Sequence, residues 1–198
     1  MLSSFGPATT ERLLGRRPEE GDLDAYVRIF TDPRVDEESW PADLRTADDA
    51  LRVLESSIAH WERWGFGPWI VLERATREIV GRAGIEHTTV AGRPEIEALW
   101  FLAADCWGRG YATEIAREAL RVAFDVLELD DLVAFTMTTN LPSQGVMARL
   151  GFTFEREIEH AGLPHRLYRL RREDASAPRA SDAPRASDAQ RVDHHPDG

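Results

Sequence analysis

Trp107-Gly108-Arg109-Gly110-Tyr111-Ala112-Thr113-Glu114 is the stretch on which the reading of this chain turns. A strand-like run, Ile96 to Leu102, precedes it, and an amphipathic helix pattern begins inside it. Gly108 and Gly110 carry no Cβ, so the backbone between strand and helix can take unusual dihedrals and turn its N–H groups toward a ligand. The start of the following helix adds unpaired N–H groups and a partial positive charge, a combination suited to phosphate or pyrophosphate. A Gly-x-Gly alone also describes a tight packing loop, so the motif needs support from elsewhere.

Support comes downstream, in Thr139-Asn140-Leu141-Pro142-Ser143-Gln144-Gly145-Val146-Met147-Ala148-Arg149-Leu150-Gly151-Phe152. Here a strand ends at an Asn, a short helix follows, and Gly-Phe closes it. Together the two stretches resemble the GNAT acetyltransferases, and more closely their RimJ/RimL-like (ribosomal-protein N-acetyltransferase-like) branch. The family's cofactor loop, Gln/Arg-x-x-Gly-x-Gly/Ala, maps onto Trp107 through Ala112. Trp107 stands where Gln or Arg is usual, as in the branch's Trp-Gly-x-Gly-Tyr-Ala form. The resemblance extends to Thr10-Glu11-Arg12-Leu13-Leu14 and Gly65-Phe66-Gly67-Pro68-Trp69, and spans residues 9–172.

Length and composition fit a single domain. The 198 residues are 42% hydrophobic and include six Trp, enough for one sizeable core. The net charge is −11, and all the basic residues are Arg. An acidic surface disfavours nucleic acid and anionic membrane as partners and mildly favours cationic ones such as amines. The lone Cys106 excludes an intramolecular disulfide and a multi-cysteine metal site. Met1 to Pro7 has no basic-then-apolar signal and no apolar run reaches spanning length, so a cytoplasmic protein is expected, as monomer or homodimer.

Taken in order, Glu11 to Leu14 reads as a first strand. Asp22 is set to cap a helix with apolar residues at Leu23, Tyr26, Val27 and Phe30. Residues 34–45, with Trp40-Pro41, read as a loop. Thr46 and Asp49 open a second helix with Leu51, Leu54, Ile58 and Trp61 at helical spacing, and Gly65 stops it. Trp69–Arg74, Ile79–His87 and Ile96–Leu102 read as consecutive antiparallel strands, the last two joined through Ala91-Gly92-Arg93-Pro94. In the helix after the glycine loop, Ile115, Ala119, Val122 and Val126 form one stripe, with Glu114–Arg117 and Glu118–Arg121 paired outside.

A helical crossover then makes Leu132–Thr138 parallel to Ile96–Leu102. A hairpin of Phe152–His160 and His165–Arg171, turning at Gly162-Leu163-Pro164, completes the domain. The expected fold is α/β (α+β): a GNAT-like mixed, mostly antiparallel sheet with a parallel splayed pair and helices on both faces. From Glu173 onward Ala-Pro-Arg-Ala-Ser-Asp repeats and large apolar residues nearly vanish, so residues 173–198 are expected to be a disordered tail.

The resemblance implies an acetyl-CoA-dependent N-acetyltransferase acting on an amine acceptor, either a small molecule or a protein N-terminus. The donor's pyrophosphate would rest on Gly108, Arg109, Gly110, Tyr111 and Ala112 beside Trp107, and its pantetheine arm beside Phe101, Leu102 and Ala103. No metal is implied. Alternation puts Glu97 on one strand face with Leu99 and Phe101. A carboxylate in so apolar a strand is paired, edge-exposed or functional, and the family often places an amine-activating Glu there. Where many members carry a Tyr that serves the departing thiolate, this chain has Met147. Ser143 is the branch's usual substitute and can hydrogen-bond the sulfur, or cap the helix instead. Asn140 can bond pantetheine or fix the strand end. Two rival readings remain: a non-catalytic acyl-CoA-binding module, and a Cys106 nucleophile paired with His87 or His160. A weak metal site at His194-His195 is a third, minor one.

Overall fold

A computed structural model describes residues 7–35 and 45–175. Eight strands form one sheet in the order β1-β2-β3-β4-β5-β6-β8-β7. They are β1 (Ala8–Thr9), β2 (Leu13–Arg16), β3 (Trp69–Glu73), β4 (Ile79–Val90), β5 (Arg93–Leu102), β6 (Asp131–Met137), β7 (Thr153–His160) and β8 (Leu163–Arg171). The helices are α1 (Leu23–Phe30), α2 (Ala47–Trp64), α3 (Tyr111–Arg121), α4 (Leu141–Leu150) and the short α5 (Arg172–Ala175). Among the described residues only β5 and β6 pair in parallel. The mixed, mostly antiparallel sheet is the one expected.

β3 explains why helices lie on both faces. Its first four residues are all buried. Ile70 and Leu72 meet Tyr26 and Phe30 of α1 with Ala50 and Leu54 of α2. Val71, pointing the other way, joins the cluster of Ile115, Ala116 and Ala119 from α3. A strand covered twice needs no polar alternate positions, and the first four residues of this one have none. α2 begins with the expected reciprocal bonds between Thr46 and Asp49, and ends at Gly65 with φ 74°.

Several details differ from the sequence reading. The first strand is displaced to Leu13–Arg16, after a two-residue strand at Ala8–Thr9. Asp22 does not cap α1; it is buried and paired with Arg16 at 2.6 Å, closing a short 3-10 turn with Glu19. Glu114 does not pair with Arg117 but reaches Thr10 and Arg12, whereas Glu118 and Arg121 do pair. Val126 leaves the buried stripe because residues 122–126 form a π turn, whose extra residue per turn rotates Ala123 and Phe124 inward and Val126 out.

Both hairpins turn tighter than expected. Ala91-Gly92 and Ala161-Gly162 have positive φ at both positions, the two-residue turn that matches strand twist. Arg93 and Pro94 therefore belong to β5, and Leu163 and Pro164 to β8. At the far end, residues 173–175 continue as α5, with Ala175 against the core. Residues 176–198, including His194-His195, and the Trp40 loop lie outside the described residues.

The β3–β4 register slips between Val71 and Leu72, and Gly81 sits at that irregularity with φ 156°. A Cβ there would lie 2.3 Å from the Phe101 carbonyl oxygen and 2.6 Å from Leu102 Cδ2. Gly81→Ala is therefore expected to lose about 2–3 kcal/mol of stability. The midpoint and slope of urea unfolding measure it, and an unchanged midpoint would contradict the close approach.

Candidate active site

β4 and β5 stay in register all the way to the pair Gly81–Leu102, but β5 and β6 share one pairing, Glu97 with Val133. Beyond it the two strands part. The chain leaves β5 through a short 3-10 turn, Ala104–Cys106, and Trp107 Nε1 ties that turn back by donating to the Leu102 carbonyl at 2.9 Å. α3 and α4 pack on the flanks of the opening. The result is a cavity of about 1130 Å³. It runs from the glycine loop along β5 and the first turn of α4. It opens between the start of α2 and the far ends of β6, β7 and β8.

At one end Gly108 and Gly110 have φ 72° and 79°, the left-handed region that only glycine enters without strain. No side chain caps α3, and its first backbone bond is Glu114 N–H to the Gly110 carbonyl at 3.0 Å. The N–H groups of the first turn are thus available to an anion, with the helix dipole behind them. The loop is fastened from outside. Arg12 donates to the Arg109 carbonyl at 2.9 Å and to Glu114 at 2.6 Å, and Glu114 also accepts from the Thr10 hydroxyl at 2.6 Å.

Of the residues the sequence singles out, Glu97, Phe101, Leu102, Trp107, Gly108, Gly110, Tyr111, Ala112, Asn140 and Ser143 line this one cavity. Ala103 and Arg109 do not. Ala103 is buried and its N–H donates to the Val80 carbonyl at 2.8 Å, so it is committed to β4. The Arg109 guanidinium bonds Glu73 at 2.5 Å and lies over the Tyr111 ring at 4.4 Å. The Tyr111 hydroxyl and Arg109 together hold the Glu73 carboxyl below its usual range. Arg149, unflagged by the sequence reading, lines the cavity near the loop and reaches Thr113 Oγ1 at 3.4 Å. Only the packing of α4 beside α3 brings it there.

Asn140 is the cap of α4: its Oδ1 accepts from the Ser143 N–H at 3.1 Å. Ser143 therefore does not cap the helix. Met147 is fully buried on the cavity wall.

Glu97 sits half-buried at the parting of the strands, on the cavity wall. Burial raises its pKa well above the usual carboxylate range, and the facing Glu86 adds to this, while Arg82 opposes it. A carboxylate of raised proton affinity in a cavity is suited to taking a proton near neutral pH.

Cys106 also lines the cavity, but burial pushes its thiol up, which disfavours the thiolate. His87 is occupied elsewhere, stacked on Trp64 at 4.2 Å and beside His60. His160 does line the cavity, packed on Phe135 at 4.7 Å. Among the described residues no three metal-ligand side chains gather.

An uncapped helix start at one end and a half-buried carboxylate where the parallel pair parts make a cavity that can hold an anionic group beside a proton acceptor. The chain belongs to the GNAT acetyltransferases: the family model described as acetyltransferase (GNAT) domain matches residues 12–153. A putative GNAT-family acetyltransferase from Bordetella pertussis superposes with a TM-score of 0.71 at 25% identity, over 83% of this chain and 99% of that one. The acetyltransferase from Agrobacterium tumefaciens gives 0.70 at 28%, over 86% and 96%. The FsC-acetyl coenzyme A-N(2)-transacetylase of Aspergillus fumigatus is 36% identical over 69% of this chain, which spans only 54% of that protein. RimJ from Mycobacterium smegmatis, in complex with CoA-disulfide, shares the fold at a TM-score of 0.67 and 21% identity, over 87% of this chain and 88% of that one. GNAT enzymes transfer acetyl groups from acetyl-CoA to amines, and this chain has that class of activity.

Acetyl-CoA is expected to raise the thermal midpoint of the wild type, as any ligand selective for the folded state does. Gly110→Glu, which forces a side chain and a negative charge onto the uncapped helix start, should abolish that rise. A normal rise in the variant would contradict phosphate binding at the loop.

Proposed function

We propose that this chain is an N-acetyltransferase of the RimJ/RimL-like branch that moves an acetyl group to a primary amine by direct attack, with Glu97 as base and Ser143 serving the leaving sulfur. The position of Glu97 carries the reading. It is the residue at which β5 and β6 last pair, in the cavity that begins at the glycine loop. The branch assignment rests on the loop's Trp-Gly-x-Gly-Tyr-Ala form.

The donor binds with its pyrophosphate on the N–H groups from Gly108 to Ala112, and Arg149 is the cation at that end. The side chain of Arg109 takes no part, being held by Glu73. An acceptor arriving as an ammonium gives one proton to the Glu97 carboxylate. The freed lone pair forms the N–C bond as the C–S bond breaks. The Ser143 hydroxyl, on the cavity wall in the first turn of α4, hydrogen-bonds the departing thiolate, which takes the second amine proton through solvent.

Glu97→Gln keeps the shape and removes the base, so CoA affinity should persist while turnover falls by about 100-fold or more. Stability should move the opposite way. Between the ordinary Glu pKa of about 4.3 and the raised folded value, the unfolded chain releases a proton that the folded chain keeps. Wild-type stability therefore falls as pH rises through that window, and Glu97→Gln should melt higher than wild type above it. Melting curves and CoA-release rates across pH test both halves. Undiminished turnover in Glu97→Gln would remove the base, whereas loss of activity in Cys106→Ala would point to the thiol instead. Intact acetyl-CoA binding with no CoA release from any amine would favour a binding module.

A further inference from the structure

Glu86 and Glu97 stand directly opposite one another on β4 and β5, and both line the cavity. Opposed residues of an antiparallel pair place their side chains on one face, with Cβ atoms about 5 Å apart. Arg82, four residues before Glu86 and on the same face, donates from Nη2 to Glu86 Oε2 at 3.3 Å. The Arg82 and Glu86 side chains are 11% and 25% exposed, so this pair is poorly screened by water. Arg82 thus bonds one of the two facing carboxylates and favours the charged form of the other, while its Nε is buried with no hydrogen-bond partner among the described residues. With Glu97 ionised, the trio carries one net negative charge.

The remaining described walls of this end supply no spare cation. Arg52 of α2 is bonded to Asp49 of the same helix. Opposite lie the rings of Phe135, His160 and His165, with His160 packed 4.7 Å from Phe135 and 5.4 Å from His165. Burial, and then the neighbouring His165, lower the pKa of His160 and favour its neutral form. Arg149 belongs to the far end, beside Thr113.

We infer that the acceptor end admits primary amines without a carboxylate on the adjacent carbon and turns away free α-amino acids, and that Glu86 sets this choice. The inference rests on the reading of Glu97 as base. An α-ammonium brought to Glu97 carries its own carboxylate two bonds away, toward Glu86, where the one nearby guanidinium is already bonded through Nη2 to Glu86 and is outnumbered by the two carboxylates. A peptide N-terminus, an amino-acid amide or a simple ring-bearing amine presents the same ammonium without that repulsion.

The test is kcat/KM for acetylation of phenethylamine, phenylalaninamide and phenylalanine at about pH 9, each corrected for its own fraction of free amine, which is smallest for the alkylamine. The first two should exceed phenylalanine by about 100-fold, the scale of like charges forced together in a screened-off site. Glu86→Gln and Glu86→Ala should shrink that ratio to about 10-fold or less, because the repelling charge is gone. The inference is overturned if phenylalanine is as good a substrate as phenethylamine. It is also overturned if both variants keep the wild-type ratio while folding and shifting with acetyl-CoA normally. If no amine in a wide panel releases CoA from a protein that binds acetyl-CoA, the base assignment fails first and this selectivity falls with it.

Discussion

β5 and β6 meet at one residue pair, Glu97 and Val133, and then separate. Parallel neighbours in a sheet ordinarily continue their ladder, because an unpaired backbone group in the interior is costly. Here the break is held open by what surrounds it. β4 keeps its full antiparallel register with β5 on one side, and β8 pairs with β6 along its whole length on the other. The edges that face the gap belong to strands already anchored, so the gap persists as a cavity instead of collapsing. Glu97 stands at its vertex, half-buried and facing Glu86, which explains its raised proton affinity.

The charges around the glycine loop follow a second logic. Arg109, the cation nearest the loop in sequence, is turned outward to Glu73 and Tyr111. Arg12 and Glu114 clamp the loop to the first strands. These pairs fix the shape of the loop, and the backbone N–H groups at the start of α3 carry no side-chain cap. Exposed pairs of this kind add little to stability, so their importance lies in geometry.

Much of this was legible in the sequence, for identifiable reasons. Gly108 and Gly110 could be read because positive φ is nearly a glycine privilege, and Thr46 with Asp49 because a capping box has a fixed spacing. Glu97 stood out as a carboxylate in an apolar strand. Long-range matters were not legible. Nothing local shows that Asp22 pairs with Arg16, that Glu114 reaches back to Arg12, or that Arg149 rather than Arg109 faces the cavity. The π turn at residues 122–126 also escaped, since a steady helical period places Val126 inside. Glu86 has no local signal either: its significance appears only when the register sets it opposite Glu97.

On the proposed function, the donor lies in the gap between β5 and β6, entered at the uncapped start of α3. Amide hydrogen exchange with and without CoA tests it most directly. Binding should slow exchange most at the N–H groups of residues 108–113, and next along the part of β5 from Ala98 to Leu102. The β7–β8 hairpin turn at Ala161-Gly162 should change little. Protection confined to that turn, or spread evenly over the sheet while residues 108–113 remain unprotected, would contradict the account.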